Sequence, residues 1–276
     1  AQQPGAPADA IPASILRQEP GTVHHQFDRQ RVLWISNPGT PPYRYVKANQ
    51  SFEPVSPAGI ESRWLTGGFR MTVLAAGPQG EIWGLLGPHN RAVVRHNPEQ
   101  KTFTAFPLPL PPGHPYEVLA MTVDGGRIYL ATKNHGLLRA DLSAKRLIRW
   151  RTNPADPGSL PSEALLSLAQ DPAQYNHLWI GTFGNGLCQF DKMTGHIRRF
   201  TMANGLPNNV IYAIRPDGNG HLWLSTNRGL CRFDSRTYEV RNYTADDGLP
   251  GEEFSLRHDA ALPDGRLVFG GTGGPT

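Results

Sequence analysis

The feature that most constrains the fold of this chain is a phrase that its sequence contains twice. HLWIGTFGNGLCQFD stands at residues 177–191, and HLWLSTNRGLCRFD follows at residues 221–234. Both copies begin with His-Leu-Trp, reach a Thr and a short polar loop, and end with Gly-Leu-Cys, one variable residue, and Phe-Asp. A catalytic motif rarely needs a second copy, whereas a packing unit does. The phrase therefore indicates an internal structural repeat.

The aromatic residue of this phrase recurs along most of the chain. Trp34, Trp83, Tyr129, Trp179 and Trp223 lie 49, 46, 50 and 44 residues apart, and a last unit follows in register 45 residues later, at position 268. In the clearest unit, residues 209–243, four short apolar segments are separated by turns rich in Gly, Asn and Asp. A period of about 40–50 residues with four strands per unit is typical of a β-propeller blade.

The strands of this clearest unit carry specific expectations. Val210, Tyr212 and Ile214 alternate with their neighbours, so we expect them to point inward from the first strand. Leu222 and Trp223 are adjacent apolar residues, which predicts that both faces of a blade are buried against neighbouring blades. The segment EALLSLAQ, residues 163–170, could pass for a short helix, but its place in the repeat favours a strand.

These observations predict an all-β chain, namely a β-propeller of four-stranded antiparallel blades. The predicted N-terminal segment is residues 1–21, in which residues 11–18 could supply a closing strand. The propeller itself spans residues 22–276. Its units are predicted at about 22–66, 67–112, 113–157, 158–205 and 206–248, with a partial sixth at 249–276 that lacks its third strand.

Composition excludes several classes of function. The net charge is +4, but Lys and Arg are scattered without a basic run, so we expect no nucleic-acid partner. No apolar stretch approaches the ~18 residues of a membrane span. The uncharged, Pro- and Ala-rich opening favours an exported protein. Cys188 and Cys231 occupy the same position in successive repeats, so they point the same way and are expected to be free and buried.

A search for chemistry yields no catalytic motif. HxH, HExxH, CxxC and GxSxG patterns are absent, so we expect no enzyme activity, no metal and no cofactor. Asp217, Asn219 and His221 are spaced like ligands of a calcium loop, but Arg228 stands where that loop needs Glu, and the segment fits a hairpin turn. His177 and His221 precede Leu-Trp at equivalent positions, which indicates structural residues at strand starts.

Propellers bind ligands where the turns between second and third strands meet the segments between blades. Amides, guanidinium groups and aromatic faces in these loops would suit a carbohydrate or another small polar molecule. The candidate ligand-binding residues are His89, Asn90, Arg91, Tyr116, Asn134, His135, Phe183, Asn185, Asn208, Asn227, Arg228 and Glu252.

Two segments carry a family resemblance. Residues 205–244, GLPNNVIYAIRPDGNGHLWLSTNRGLCRFDSRTYEVRNYT, and the copy before them closely resemble the two-component regulator propeller repeat. Residues 248–274, GLPGEEFSLRHDAALPDGRLVFGGTGG, resemble the last blade of such sensors, before a β-sandwich and a membrane helix. The resemblance implies the periplasmic, ligand-sensing region of a hybrid histidine kinase or diguanylate cyclase. It also implies seven blades in the complete ring, of which this chain would be a fragment.

The resemblance also implies partners. We expect a small-molecule ligand such as a carbohydrate, a homodimer formed through the receptor, and membrane attachment only through flanking segments. Two other functions stay open. One is a propeller that binds only proteins. The other is an enzyme, because residues 77–109 resemble the unit of streptogramin lyases and a lyase or lactonase would use His89 and His135. In that unit, Gly84 and Leu85 follow Trp83 where the lyases have Glu.

Overall fold

The computed structural model describes residues 24–28, 30–36, 41–65, 69, 71–77, 79–87, 92–108, 110, 116–262 and 264–276. Residues 1–21, where a closing strand was predicted, lie outside this part of the chain. The described residues form six antiparallel sheets, five of four strands and one of three. In each sheet the strands pair in chain order, so every sheet is one blade.

The chain divides into two compact units at residues 115 and 116. Unit 1 holds the first two blades. Blade 1 consists of β1 (His24–Phe27), β2 (Leu33–Ser36), β3 (Tyr43–Val46) and β4 (Ser51–Pro54). Blade 2 consists of β5 (Met71–Ala76), β6 (Ile82–Leu86), β7 (Ala92–Asn97) and β8 (Thr102–Pro107), and a 3₁₀ turn at Ser62–Trp64 precedes it.

Unit 2 holds the other four blades. Blade 3 consists of β9 (Val118–Asp124), β10 (Arg127–Thr132), β11 (Leu137–Asp141) and β12 (Arg146–Trp150). Blade 4 consists of β13 (Leu165–Gln170), β14 (His177–Thr182), β15 (Leu187–Asp191) and β16 (Ile197–Phe200). Blade 5 consists of β17 (Ile211–Pro216), β18 (His221–Thr226), β19 (Leu230–Asp234) and β20 (Val240–Tyr243). Blade 6 consists of β21 (Phe254–Ala261), β22 (Leu267–Gly271) and β23 (Gly274–Pro275).

A short 3₁₀ turn at Met202–Asn204 connects blade 4 to blade 5, and another at Ala245–Asp247 connects blade 5 to blade 6. Thr201 and Thr244 begin these turns, and Gly205 and Gly248 end them in the left-handed conformation. The first strand of each blade in unit 2 contacts the first strand of the next. The first strands β9, β13, β17 and β21 therefore form the inner side of unit 2.

Both faces of a blade are buried, as the adjacent apolar residues predict. Leu222 belongs to a cluster with Trp179 and Phe233, between blades 4 and 5. Its neighbour Trp223 packs on the opposite face, against a cluster that includes Phe254 of blade 6. Blade 5 thus supplies half of two apolar layers, which explains why the phrase is repeated in neighbouring blades.

Several strand predictions are confirmed. The segment that could pass for a helix is β13, and the two copies of the repeated phrase form the second and third strands of blades 4 and 5. Cys188 and Cys231 are free and buried. The turn predicted at Asp217 is also confirmed, because its carboxylate accepts hydrogen bonds from the backbone N–H of Asn219 and His221, at 2.7 and 3.2 Å.

Two predictions about strands were wrong. Ile214 is buried as predicted, but the other buried side chains of β17 are Ile211 and Ala213, whereas the predicted Val210 and Tyr212 are half-buried. The register shifts between Ile211 and Ala213, so a β-bulge at Tyr212 interrupts the simple alternation. The sixth unit is also more complete than expected, because Gly274–Pro275 forms a third strand that the sequence did not predict.

This third strand forms because the chain reverses at a glycine turn. Gly274 adopts a φ of 104°, and Phe269 and Thr276 then exchange two backbone hydrogen bonds of 2.9 and 2.8 Å. The described residues therefore contain six blades, instead of five and a partial sixth, and they show no seventh.

Candidate functional site

In unit 2, the turn between the second and third strands always adjoins the start of the first strand. Thr132, Thr182 and Thr226, which end β10, β14 and β18, pair with Val118, Leu165 and Ile211. These turns and the segments that lead into each blade therefore lie at one end of the strands. We call this end of unit 2 the turn face. Its parts are residues 116–117, 133–136, 161–164, 183–186, 207–210, 227–229 and 250–253.

Each turn is bonded to the segment that starts the next blade. The backbone N–H of Gly136 donates to the carbonyl oxygen of Glu163 at 3.0 Å, and Gly186 donates to Asn209 at 2.7 Å. The backbone N–H of Gly229 donates in the same way, at 2.7 Å, to the carbonyl oxygen of Glu252, in the segment that starts blade 6. A Cβ at Gly186, where φ is +82°, would lie 2.0 Å from the carbonyl oxygen of Phe200, so only glycine fits. The repeated Gly therefore fixes each turn against its neighbour.

The Thr that precedes each turn explains a second residue that the phrase repeats. The hydroxyl of Thr182 donates to the carbonyl oxygen of Gly186 at 2.8 Å and accepts from the backbone N–H of Asn185 at 3.0 Å. Thr132 makes the same pair of bonds with Gly136 and His135. Thr closes the turn from inside, and its side chain is buried at both positions.

Arginines from the outer strands support the turn tips. Arg149 of β12 donates from Nε to the carbonyl oxygen of His135 at 2.8 Å, and Arg199 of β16 donates to that of Asn185 at 2.7 Å. Arg149 also lies 3.3 Å from the carboxylate of Glu163. The turns are thus held from three sides, so the side chains they carry have defined positions.

The structure brings two predicted residues into direct contact. The rings of Tyr116 and His135 lie 4.4 Å apart between centroids, with Tyr116 buried and His135 half-buried. Beside them, Lys133 and Glu117 form an exposed ion pair with 3.1 Å between Nζ and Oε2. We call these four residues the blade 3 cluster. It places an aromatic pair beside both signs of charge, a combination that suits the binding of a polar molecule.

The other predicted residues of the turn face divide into exposed and engaged side chains. Asn134, Asn227 and Arg228 are exposed, and Phe183 is 59% exposed. The side-chain oxygen of Asn208, in contrast, accepts a 2.7 Å hydrogen bond from the backbone N–H of Val210.

Glu252 and Asn185 belong to the engaged group. Oε1 of Glu252 accepts from the backbone N–H of Ala245 at 3.2 Å, and Asn185 is half-buried through its backbone bonds. The predicted residues His89, Asn90 and Arg91 lie outside the described residues.

The sequence analysis missed Glu117, Lys133 and Arg257. A signal existed for Lys133, because it takes the position of Phe183 in the repeat, directly after the buried Thr. Arg257 lies in the first strand of blade 6, and its Nε is buried. In the described part of the chain, no group of three or more His, Cys, Asp or Glu side chains is arranged to hold a metal ion.

Comparison with solved structures extends the description of the fold. The extracellular domain assigned to a hybrid two-component system of B. thetaiotaomicron superposes with a TM-score of 0.62 at 20% identity, over 92% of this chain and 33% of that one. The extracellular domain assigned to a one-component system of the same organism gives 0.56 at 17%, over 91% and 41%. PorZ, a surface component of the type-IX secretion system of Porphyromonas gingivalis, gives 0.62 at 14%, over 92% and 38%.

The chain thus spans about a third to two-fifths of the length of these relatives. No curated protein matches its sequence. Among the described residues, no helix is long and apolar enough to cross a membrane.

The six blades and their inter-blade turns define a β-propeller repeat protein. The family model of the two-component regulator propeller matches residues 205–228, which run from the start of blade 5 to the turn after its second strand. The resemblance to the two-component regulator propeller repeat is therefore confirmed for this repeat.

Proposed function

We propose that this chain is the ligand-sensing propeller of an extracytoplasmic receptor of the two-component type. It binds a small polar molecule, such as a carbohydrate, at the turn face and signals to an output module in the cytoplasm. The compartment would be the periplasm, and the propeller itself would carry out no chemistry. The confirmed repeat and the extracellular relatives support this context.

The observation that carries the proposal is the blade 3 cluster. The half-buried His135 ring packs against the buried Tyr116 ring, and the exposed Lys133–Glu117 pair places charged hydrogen-bonding groups beside it. The neighbouring turns are fixed by glycine, Thr and Arg contacts, so little conformational freedom is lost when a ligand binds.

Sensing requires that the ligand prefer one arrangement of the receptor over another. A ligand that binds both arrangements equally shifts nothing, however tightly it binds. We expect the turn face to supply this difference, because its turns connect consecutive blades through single backbone bonds such as Gly186 to Asn209.

The test is a thermal-shift screen of the purified chain against mono- and oligosaccharides, amino acids and organic acids. A binder stabilises the fold by RT ln(1 + [L]/Kd), about 2.7 kcal/mol at a hundredfold excess over Kd. The shift should be lost in the double variants Lys133→Ala/His135→Ala and Asn227→Ala/Arg228→Ala. Met193→Ala is the matched control, because Met193 is 75% exposed in the turn after β15, at the other end of blade 4.

A second candidate function is a propeller that binds only proteins. Phe183 and Met202 are 59% and 51% exposed, which is unusual for large apolar side chains. If no molecule of the panel shifts the melting temperature, the ligand-sensing proposal fails. Self-association that weakens in Phe183→Ala, measured by analytical ultracentrifugation, would then support a homodimer or another protein partner.

A further inference from the structure

The first strand of blade 6 departs from the repeat. In β9, β13 and β17 a single residue near the strand start is unpaired, at Leu119, Leu166 and Tyr212. In β21 the four residues 255–258 face only Gly270 of β22, because pairing resumes at Asp259. The strand β21 spans eight residues, 254–261, where β17 spans six, 211–216. Two residues have been added here.

Both ends of this bulge are anchored. Phe254, just before it, is buried, and the carbonyl oxygen of Glu253 accepts a 2.9 Å hydrogen bond from the backbone N–H of Thr272. After the bulge, Arg215 of blade 5 contacts the carboxylate of Asp259 and donates to its carbonyl oxygen at 3.1 Å. The bulge is therefore held at both ends, and the residue it projects has a defined position.

That residue is Arg257, which carries two unfavourable features. Its φ is +66°, in the left-handed region that favours glycine. Its side-chain Nε is buried and has no hydrogen-bond partner among the residues that the structure describes. Backbone strain and a buried donor without an acceptor both destabilise a fold, and they persist together mainly where a site needs them. The guanidinium group offers five N–H donors in a planar fork.

The charges around Arg257 indicate what it could bind. Burial lowers the pKa of Arg257, and the negative charge of Glu117 opposes this effect. Glu117 is itself engaged by Lys133 at 3.1 Å. Lys133 already neutralises Glu117, whereas Arg257 has no ion-pair partner among the described residues, so its single positive charge is left for a ligand. A planar monoanion matches both this charge and the fork of the guanidinium group.

We propose that Arg257 binds the carboxylate of a small organic acid at the inner side of unit 2, beside Glu117. This inference rests on the proposed sensor function and narrows its ligand class to carboxylates. The half-buried His135 would contact the uncharged part of the ligand. A phosphate monoester, with nearly two negative charges at neutral pH, matches the single charge of Arg257 less well.

The test uses matched acids and amides on the purified chain by isothermal titration calorimetry. The pairs are glucuronate with glucuronamide and glutamate with glutamine, alongside glucose 6-phosphate and inorganic phosphate. We expect one acid to bind at least about tenfold more tightly than its amide. Arg257→Gln should remove this preference and leave the amide within about twofold of its original affinity. Arg266→Gln, an exposed arginine in the hairpin turn after β21, is the matched control.

Should Arg257→Gln fail to fold, Arg257→Lys keeps the charge but loses the planar fork, and it should still lose most of the acid preference. A neutral ligand whose affinity is unchanged in Arg257→Gln overturns this inference and leaves the sensor function standing. Equal or tighter binding of the phosphates overturns the choice of carboxylate. Absence of any binding at millimolar concentration overturns both the inference and the ligand-sensing function.

Discussion

The Lys192 ammonium group lies 2.8 Å from the carboxylate of Asp124, and both side chains are almost fully buried, at 4% and 6% exposure. The pair joins blade 4 to blade 3. The same ammonium group donates to Gln170 at 3.1 Å, and the hydroxyl of Tyr175 also bonds to Asp124. Burial alone would raise the pKa of Asp124, but the hydrogen bonds from Lys192 and Tyr175 hold it below its usual value.

Removal of Lys192 should therefore be costly. Lys192→Met leaves the Asp124 carboxylate buried without its cation, and we expect a loss of roughly 3–5 kcal/mol in the free energy of unfolding. Urea denaturation followed by tryptophan fluorescence measures it. Arg266→Ala breaks an exposed pair with Asp264 and should leave the free energy of unfolding nearly unchanged. Similar losses in the two variants would contradict a structural role for the buried pair.

The two glycines of the blade 4 turn allow a matched comparison. Both have positive φ, but a Cβ at Gly184 meets nothing within 4 Å, whereas one at Gly186 would lie 2.0 Å from the carbonyl oxygen of Phe200. Gly184→Ala should cost about 1–2 kcal/mol from backbone conformation alone. Gly186→Ala should cost more than about 3 kcal/mol, because it also displaces the bond to Asn209. Equal melting temperatures of the two variants would refute the close approach.

His96 should make unit 1 sensitive to mild acid. Its ring is buried between Trp34 and Phe103, at 4.7 and 4.8 Å. Burial lowers its pKa from 6.5 to about 4; the charge of Asp28 opposes the shift, and that of Arg44 adds to it.

The sign of the effect follows from proton binding. Between pH 6.5 and pH 4 the unfolded chain binds a proton at His96 that the folded chain does not. Stability should therefore be complete above pH 6.5, fall as the pH drops towards 4, and level off below. The loss should be about 2–3 kcal/mol by pH 4.5. His96→Leu should remove this part of the pH dependence in urea denaturation at pH 7.0, 5.5 and 4.5, while exposed His196→Gln should retain it.

The two cysteines should be chemically silent in the folded protein. Both thiols are buried, and burial raises the pKa of Cys188 and of Cys231 to about 12. Because the thiolate is the reactive form, Ellman's reagent should label neither residue until the chain unfolds. The fully denatured chain is the control and should release two equivalents of chromophore. Rapid labelling of the native chain would show that the layers between blades open readily.

Much of the fold could be predicted because the sequence pattern of one blade recurs along the chain. The second strand of every blade contains the aromatic position of the phrase or its register equivalent, from Trp34 in β2 to position 268 in β22. The error at Val210 and Tyr212 arose because a bulge shifts the alternation by one residue, and the sequence alone does not mark it. The short strand Gly274–Pro275 lacks the apolar pattern that marks other strands.

The candidate site was harder to predict than the blades. The sequence indicated which turns share one end, because the turns of blades 3, 4 and 5 occupy the same position in the repeat, directly after a Thr. It could not show that the side-chain oxygens of Asn208 and Glu252 accept hydrogen bonds from nearby backbone N–H groups. Nor could it show that Tyr116 meets His135, since 19 residues separate them and only the pairing of β9 with β10 brings them together.

The sequence by itself determined the blade as a unit, because alternation, turn glycines and the repeated aromatic residue act within about 45 residues of chain. Only the tertiary structure decided which polar groups face each other across blades. The burial of Lys192 against Asp124 depends on a neighbour 68 residues away. The position of the Arg257 Nε depends on the two residues that are added in the bulge of β21. Contacts between blades follow from packing geometry, which no local pattern encodes.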